Sequence, residues 1–295
     1  MQNISDQTGR SLEYEITRIF ESRFGGVLTA RATESQTRDS VKFRLLPPDL
    51  STHFTQAANL LADIFANRYS LIGCSIDRLA DSAAREGDVT DIRLRTVQGQ
   101  CVNLSVKNNH HALKHQRPPS LMQQLSFPKK SEEDIAYRDS LGQIYTSFYN
   151  AAHKAVPGAV NFRDLKESDE TFIDTHLYLP ICNHVAAYLK QHLSSIIPCQ
   201  HFFLFLVGNI DYLKVILNSS TMEIENYSAI PLPTAATVDF SAATPNMVYV
   251  HFNNNWSLSL RIHTAASSMG RGTPSLKFDT QPMCVNIPKE VYDLY

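Results

Sequence analysis

Asp91-Ile-Arg-Leu-Arg-Thr-Val-Gln-Gly-Gln-Cys101-Val-Asn-Leu-Ser-Val-Lys107 reads as two short strands around a turn. In Asp91–Thr96, Ile92 and Leu94 share one face. In Cys101–Lys107, Val102, Leu104 and Val106 share one face, and Asn103, Ser105 and Lys107 take the other. Gly99 between the strands is the hairpin signal. A turn centred on Gly99 pairs residue i with residue 198 − i, so Asp91 is expected opposite Lys107. Ser105 then shares their face.

Working outward, Leu12, Ile16, Ile19 and Phe20 recur at three-to-four spacing, which predicts an amphipathic helix over 9–24, ended by Gly25-Gly26. Phe54, Ala57, Ala58, Leu61, Ala62, Ile64 and Phe65 predict a second over 52–71, set apart by Pro47-Pro48. Beyond the hairpin a polar, basic stretch, Asn108–Arg117, stops at Pro118-Pro119. Helices are expected over 132–153 and over 171–196, the latter kinked near Pro180. His201–Val207 and Tyr212–Leu217 read as buried strands, with Phe202, Phe203 and Phe205 in the core. Short strands follow at Met247–Phe252, Trp256–His263 and Ser275–Thr280. The pattern predicts an α+β fold, a mixed central sheet flanked by helices. Residues 1–220 are expected to form a core around hairpin 88–107, and 221–295 a β-rich segment of the same compact unit.

An acid facing a lysine beside a basic loop suits metal-assisted phosphodiester cleavage. A carboxylate holds Mg²⁺, a cation that prefers hard oxygen ligands. The metal polarises the phosphate, and a lysine orients water or neutralises growing charge. Taken alone, the same pair also fits a weak surface ion pair. Glu86, Asp88 and Asp91 gather acid before and at the first strand. His110, His111, Lys114, His115 and Arg117 gather cationic groups after the second, where a phosphate backbone could lie.

Asp91…Ser105-Val106-Lys107 resembles a variant of the PD-(D/E)xK nuclease motif, with Ser where the second acid usually stands. Leu104-Ser-Val-Lys-Asn-Asn-His-His-Ala-Leu-Lys-His-Gln-Arg-Pro118 resembles type II restriction endonucleases of the HaeIII kind. Arg261-Ile-His-Thr-Ala-Ala-Ser-Ser268 and Pro274-Ser-Leu-Lys-Phe-Asp279 look like the C-terminal block of that family. The resemblance implies a PD-(D/E)xK restriction-endonuclease-like core and Mg²⁺-dependent double-strand cleavage of DNA at a short palindrome, GGCC in the family's pattern. It implies a restriction–modification system, with a methyltransferase acting on the same site but not stably bound, and a prokaryotic cytoplasm. Asp91, Ser105 and Lys107 take the catalytic positions. Asp91 binds metal, assisted by Glu13 in Gly9-Arg-Ser-Leu-Glu13, by Asp88 or Glu86, or by the Val106 carbonyl. Asn108, Asn109, His110, His111, Lys114, His115 and Arg117 hold backbone or read bases.

Trp256–His263 places Ser257, Ser259, Arg261 and His263 on one face. Arg261 and His263, with Arg271 and Lys277, form a second set of expected DNA contacts, arginine binding guanine edges bidentately. A palindromic target favours a homodimer. The alternative is a sequence-specific DNA-binding protein whose nuclease site, lacking an acid at Ser105, is degenerate.

Other chemistries fit less well. His111 and His115 stand four apart, a zinc spacing, but Ala-Leu-Lys between them lacks the glutamate of HExxH and adds a repelling lysine. An HNH reading of Asn108–His111 fits the preceding strand poorly. Neither GxxxxGK[ST], GxGxxG nor GxSxG occurs. Lys and Arg total 27 against 29 Asp and Glu, a net charge of −2, so polyanion binding must rest on local clusters. Five scattered cysteines without a CxxC pair suggest reduced thiols in an intracellular protein. No signal peptide or membrane span is expected.

Overall fold

The computed structural model describes residues 4–80, 87–283, 285 and 287–294. Glu86 and Cys284 lie outside them. In chain order the elements are α1 (Ile4–Phe24), β1 (Val27–Leu28), α2 (Ala30–Arg44), α3 (Pro48–Ala66), β2 (Ser75–Arg78), β3 (Ile92–Arg95), β4 (Cys101–Asn108), β5 (His115–Gln116), α4 (Leu121–Gln124), α5 (Glu132–Ala155), α6 (Phe162–Ser168), α7 (Leu179–His192), α8 (Ile196–Val207), β6 (Leu213–Leu217), β7 (Thr221–Asn226), β8 (Ala236–Asp239), β9 (Met247–Phe252), β10 (Ser257–Thr264), β11 (Leu276–Pro282) and β12 (Lys289–Asp293). The α+β expectation holds. There are two sheets rather than one, in two units interleaved along the chain. The first unit takes residues 1–111, 208–230 and 286–295; the second takes 112–207 and 231–285.

The first unit is built on a seven-stranded mixed sheet, ordered β1-β2-β3-β4-β6-β7-β12. β2, β3 and β4 form an antiparallel meander. β6 then lies parallel to β4, aligning Ser105 with Lys214 and Lys107 with Ile216. Ile76, Ile92, Leu94, Val102, Leu104, Val106, Val215, Leu217, Met222 and Ile224 pack in one core with Leu12, Ile16, Phe20, Phe54, Leu61 and Phe65 of α1 and α3. Burying these side chains is the main force holding helices to sheet, at about 1.5–3 kcal/mol for each large one. Strand alternation places Asp91, Ser105, Lys107, Lys214, Glu223 and Glu225 on the opposite face.

The hairpin register departs from expectation. Ile92 pairs with Leu104 and Arg95 with Cys101, so residue i faces 196 − i, not 198 − i. The loop is Val97-Gln-Gly99, with Gly99 at φ +87° and its N–H donating to Thr96 O. Glycine takes the left-handed position of a three-residue loop, so the turn centres one residue earlier. The shift in pairing is two residues, an even number, so face assignments survive. Asp91 lies level with Ser105, and Lys107 is the next residue on that face.

α2 has no counterpart in the sequence expectations. Its buried residues are Ala32, Gln36 and Asp39, too polar a stripe to show an apolar period. It starts at Thr29, whose Oγ accepts from Ala32 N. It packs on α1, where Gln36 Nε2 donates to Tyr14 O (3.1 Å).

The second unit carries the antiparallel sheet β5-β11-β10-β9-β8. Val248, Val250, Leu258, Leu260, Ile262, Leu276 and Phe278 form its buried face. The expected strand at His201–Val207 is instead α8. Cys199, Phe202, Phe203, Leu206 and Val207 are its buried residues, at helical spacing. A short apolar run has no period of its own, and the helix uses this one on a single face. The expected break near Pro180 is a π-helical turn at Asp174–Tyr178, with Pro180 in the first turn of α7.

Candidate active site

Asp91 stands just before β3, its N–H bonded to Leu104 O (2.7 Å) and its carbonyl accepting from Leu79 N (3.0 Å). Both neighbours thus fix its backbone. Its Oδ2 accepts from Val106 N (2.7 Å) and Ser105 Oγ (3.3 Å), and lies 3.6 Å from Lys107 Nζ. The three residues at the SxK positions therefore converge on one carboxylate oxygen. Ser105 is buried; Asp91 and Lys107 are half-buried. Val106 meets Asp91 through its amide, and its side chain stays in the core.

Glu13, on α1, is buried. Burial, and then the nearby charge of Asp91, push its carboxyl above the ordinary range; Arg78 and Arg10 pull the other way. Both arginines meet its Oε2, Arg10 Nη1 at 3.1 Å. Arg78 is the hub, also donating to Asp39 Oδ2 (3.1 Å) and Gln36 Oε1 (3.0 Å). Glu13 and Asp91 thus form two acids close enough to feel each other. Asp88 is committed elsewhere: Oδ1 accepts from Thr90 N (3.0 Å) and Oδ2 pairs with Arg93 (2.6 Å).

A row of charge continues across the sheet. Lys214, 1% exposed, donates to His111 O (2.5 Å) and lies 3.4 Å from Glu225. Burial pushes its ammonium down to about 8, Glu225 opposes that, and Lys107 adds to it. Ligand atoms of His111, Glu223 and Glu225 lie within 4.8 Å of one another. Their carboxylates are already occupied. Lys289 and Asn218 engage Glu223 at 3.0 Å each, and Lys214 and Tyr227 engage Glu225. Two ammonium groups supply the positive charge that a cation would bring.

The remaining expected contacts divide between the units. Asn108 closes β4; Asn109 turns the chain at φ +56° and donates to Leu217 O (2.8 Å). His110 and His111 are exposed. Lys114, in the second unit, turns inward: its ammonium sits 3.5 Å from the Phe205 ring centre, and burial pushes it down to about 7. His115 is exposed on β5, its Nδ1 3.1 Å from Asp279 Oδ1. Arg117 Nη1 donates to Leu276 O (3.1 Å) and Ser275 Oγ (3.3 Å). Arg261, His263 and Lys277 share the polar face of β10 and β11 with Asp279; Arg271 is exposed in the loop joining those strands. Arg78 and Lys214 carry much of this electrostatics, yet no local motif marks them. Glu13 and Asp39 reach Arg78 from α1 and α2, and His111 reaches Lys214 from beyond β4.

The family model of the HaeIII restriction endonuclease matches residues 217–286. The type II restriction enzyme HaeIII of Haemophilus aegyptius is 24% identical over 320 aligned positions, covering 95% of this chain and 94% of that enzyme. The chain is thus similar to HaeIII along nearly its whole length. The family-matched segment runs from the end of β6 through β11, so it holds Arg261, His263, Arg271 and Lys277, whereas the full-length likeness also spans the Asp91–Lys107 hairpin. No solved structure matches the HaeIII-like chain. No helix among its described residues is long and apolar enough to cross a membrane.

Proposed function

We propose that this HaeIII-like chain is a type II site-specific deoxyribonuclease. It cuts double-stranded DNA at a short palindrome, with GGCC as the first site to test, on a PD-(D/E)xK-type core. The observation that carries the reading is the convergence of Ser105, Val106 and Lys107 on Asp91, with Glu13 electrostatically coupled to that acid.

The donor set fits a hard divalent cation, Mg²⁺. Glu13 and Asp91 are carboxylates that repel each other, and a dication would offset that repulsion. Asp91 would hold it with Glu13, whose Oε2 also pairs with Arg78 and Arg10; Asp88, tied to Arg93 and Thr90, is the other candidate. When bound, Mg²⁺ supplies charge neutralisation at the phosphate and acidifies the attacking water. Lys107 orients that water and stabilises charge growing on the phosphoryl oxygens. Water oxygen bonds to phosphorus, the 3′ oxygen leaves with a proton, and a 5′-phosphate remains. Ser105 holds Asp91 in place by its hydroxyl instead of adding a ligand. In the second unit, Arg261, His263, Arg271, Lys277 and His115 contact DNA. A homodimer matches a palindrome, a methyltransferase protects the same site, and the protein works in a prokaryotic cytoplasm.

The test is digestion of unmethylated phage DNA by purified protein with Mg²⁺ or with EDTA, followed by end sequencing. Discrete fragments with Mg²⁺ alone are expected. Lys107→Ala should lower cleavage at least 100-fold while DNA affinity stays within about threefold. Binding without cleavage by the wild type, in Mg²⁺ and in Mn²⁺, selects the alternative of a degenerate site.

A further inference from the structure

We propose that Asp279 is a positioning residue for DNA recognition. It pairs with the Nδ1 edge of His115 and leaves the Nε2 edge outward, so that the imidazolium, with a proton on each nitrogen, donates to an acceptor of DNA, a guanine N7 or a phosphate oxygen. The proposal rests on the DNA-cleaving reading above and adds to it a carboxylate that touches no DNA.

The geometry begins with β5. It is a two-residue edge strand, paired to β11 through Phe278–Gln116 and Asp279–His115. Two residues of ladder fix little about a ring at the sheet edge. Gln116 points inward and is buried; His115 points to the other face, its side chain 46% exposed. Asp279 Oδ1 lies 3.1 Å from His115 Nδ1, and its other oxygen accepts from Gln281 Nε2 at 3.2 Å. Gln281 holds the acid from one side, and the imidazole lies at ion-pair distance on the other. The His263 ring stands edge-on to His115, centroids 6.5 Å apart at 89°. With Nδ1 occupied, the outward nitrogen is the one offered to a ligand.

The surroundings select an electronegative ligand. Arg261 is the cross-strand partner of Asp279, and His263 pairs with Lys277 in the same ladder. Arg261 is exposed, and its guanidinium makes no hydrogen bond or ion pair among the described residues. Three cationic or titratable groups, Arg261, His263 and Lys277, thus surround the one acid, which His115 draws down to about 2. Of the basic run 114–117, Lys114 is buried over Phe205 and Arg117 is bound to Leu276 and Ser275. His115 is the member that keeps an open polar edge.

The test measures binding by the full chain in Ca²⁺. A duplex enriched by the wild type from a random pool is used, so the assay does not presuppose cleavage. His115→Ala and Asp279→Asn should each weaken that duplex about tenfold. The double variant should be no weaker than the worse single one, because both act through one contact. Asp279→Glu should restore most of the affinity. One 7-deazaguanine or one methylphosphonate, scanned through the duplex, should weaken the wild type while leaving His115→Ala unaffected. The first analogue identifies guanine N7, the second a phosphate. Thermal unfolding of each variant separates lost contact from lost fold. Multiplicative losses in the double variant, or wild-type affinity in a folded His115→Ala, overturn the proposal. So does a pool that shows no enrichment. Enrichment without cleavage by the wild type overturns the nuclease reading alone.

Discussion

Arg78 shows what a single residue carries. It is 2% exposed and meets Glu13, Asp39 and Gln36 from three directions. Removing one partner of a buried ionic network leaves the others uncompensated, at about 3–5 kcal/mol. Arg78→Met should therefore lose stability of that order in urea unfolding; a loss below about 1 kcal/mol would mean that water enters and solvates the two acids. Lys114 is the converse case. Its buried ammonium has an aromatic face but no hydrogen-bond partner among the described residues. Below pH 7 both folded and unfolded chains hold the proton, so folding bears the full cost of burying the charge. Between about 7 and 10.5 the folded chain releases the proton while the unfolded chain keeps it, and the cost falls. Lys114→Met should stabilise the protein by roughly 1–4 kcal/mol at pH 6. Unfolding curves across pH 6–10 should show the gain fading with rising pH. A gain independent of pH would place the effect in packing and not in charge.

At the scale of elements, the β3–β4 hairpin shows how a small error in register leaves the chemistry intact. Periodicity assigned faces correctly, because alternation is a property of each strand alone. Pairing depends on where the turn centres, and that follows from Gly99 occupying the left-handed position. A Cβ at Gly99 meets nothing within 4 Å, so the cost of Gly99→Ala is conformational only, about 1–2 kcal/mol. Cleavage should survive at reduced stability, measured by urea midpoint and by DNA digestion at 20 °C. Complete loss of activity in folded protein would show that the hairpin shifts Lys107 relative to Asp91. α2 and α8 mark the limits of the same pattern. α2 buries Gln36 and Asp39 in place of an apolar stripe, and α8 spends its apolar run on a helix face. Neither choice is written in local hydropathy, since each depends on what packs against the element.

For the whole molecule, the sequence revealed α1, α3, the hairpin and the polar face of β10, all elements with strong local periods. It did not reveal two interleaved units, because the chain leaves the first after residue 111 and returns at 208 with no break in composition. Nor did it reveal which cations face solvent. With a net charge of −2, attraction to DNA comes from the groups exposed on specific surfaces. Lys114 and Lys214 are buried, so they add no phosphate contacts. Arg117, Arg261, Arg271 and Lys277 remain as permanent charges in the expected set. Each neutralised phosphate contributes about −0.9 to the slope of log affinity against log salt, so these four give roughly −4 per protomer. Titrations of a fluorescent duplex between 50 and 300 mM KCl in Ca²⁺ measure that slope. A value steeper than about −6 per protomer would place phosphate contacts on cations outside this set. Arg261→Ala should flatten the slope by close to one if the residue binds phosphate. It should leave the slope unchanged, and relax discrimination at one base pair, if it reads a guanine edge.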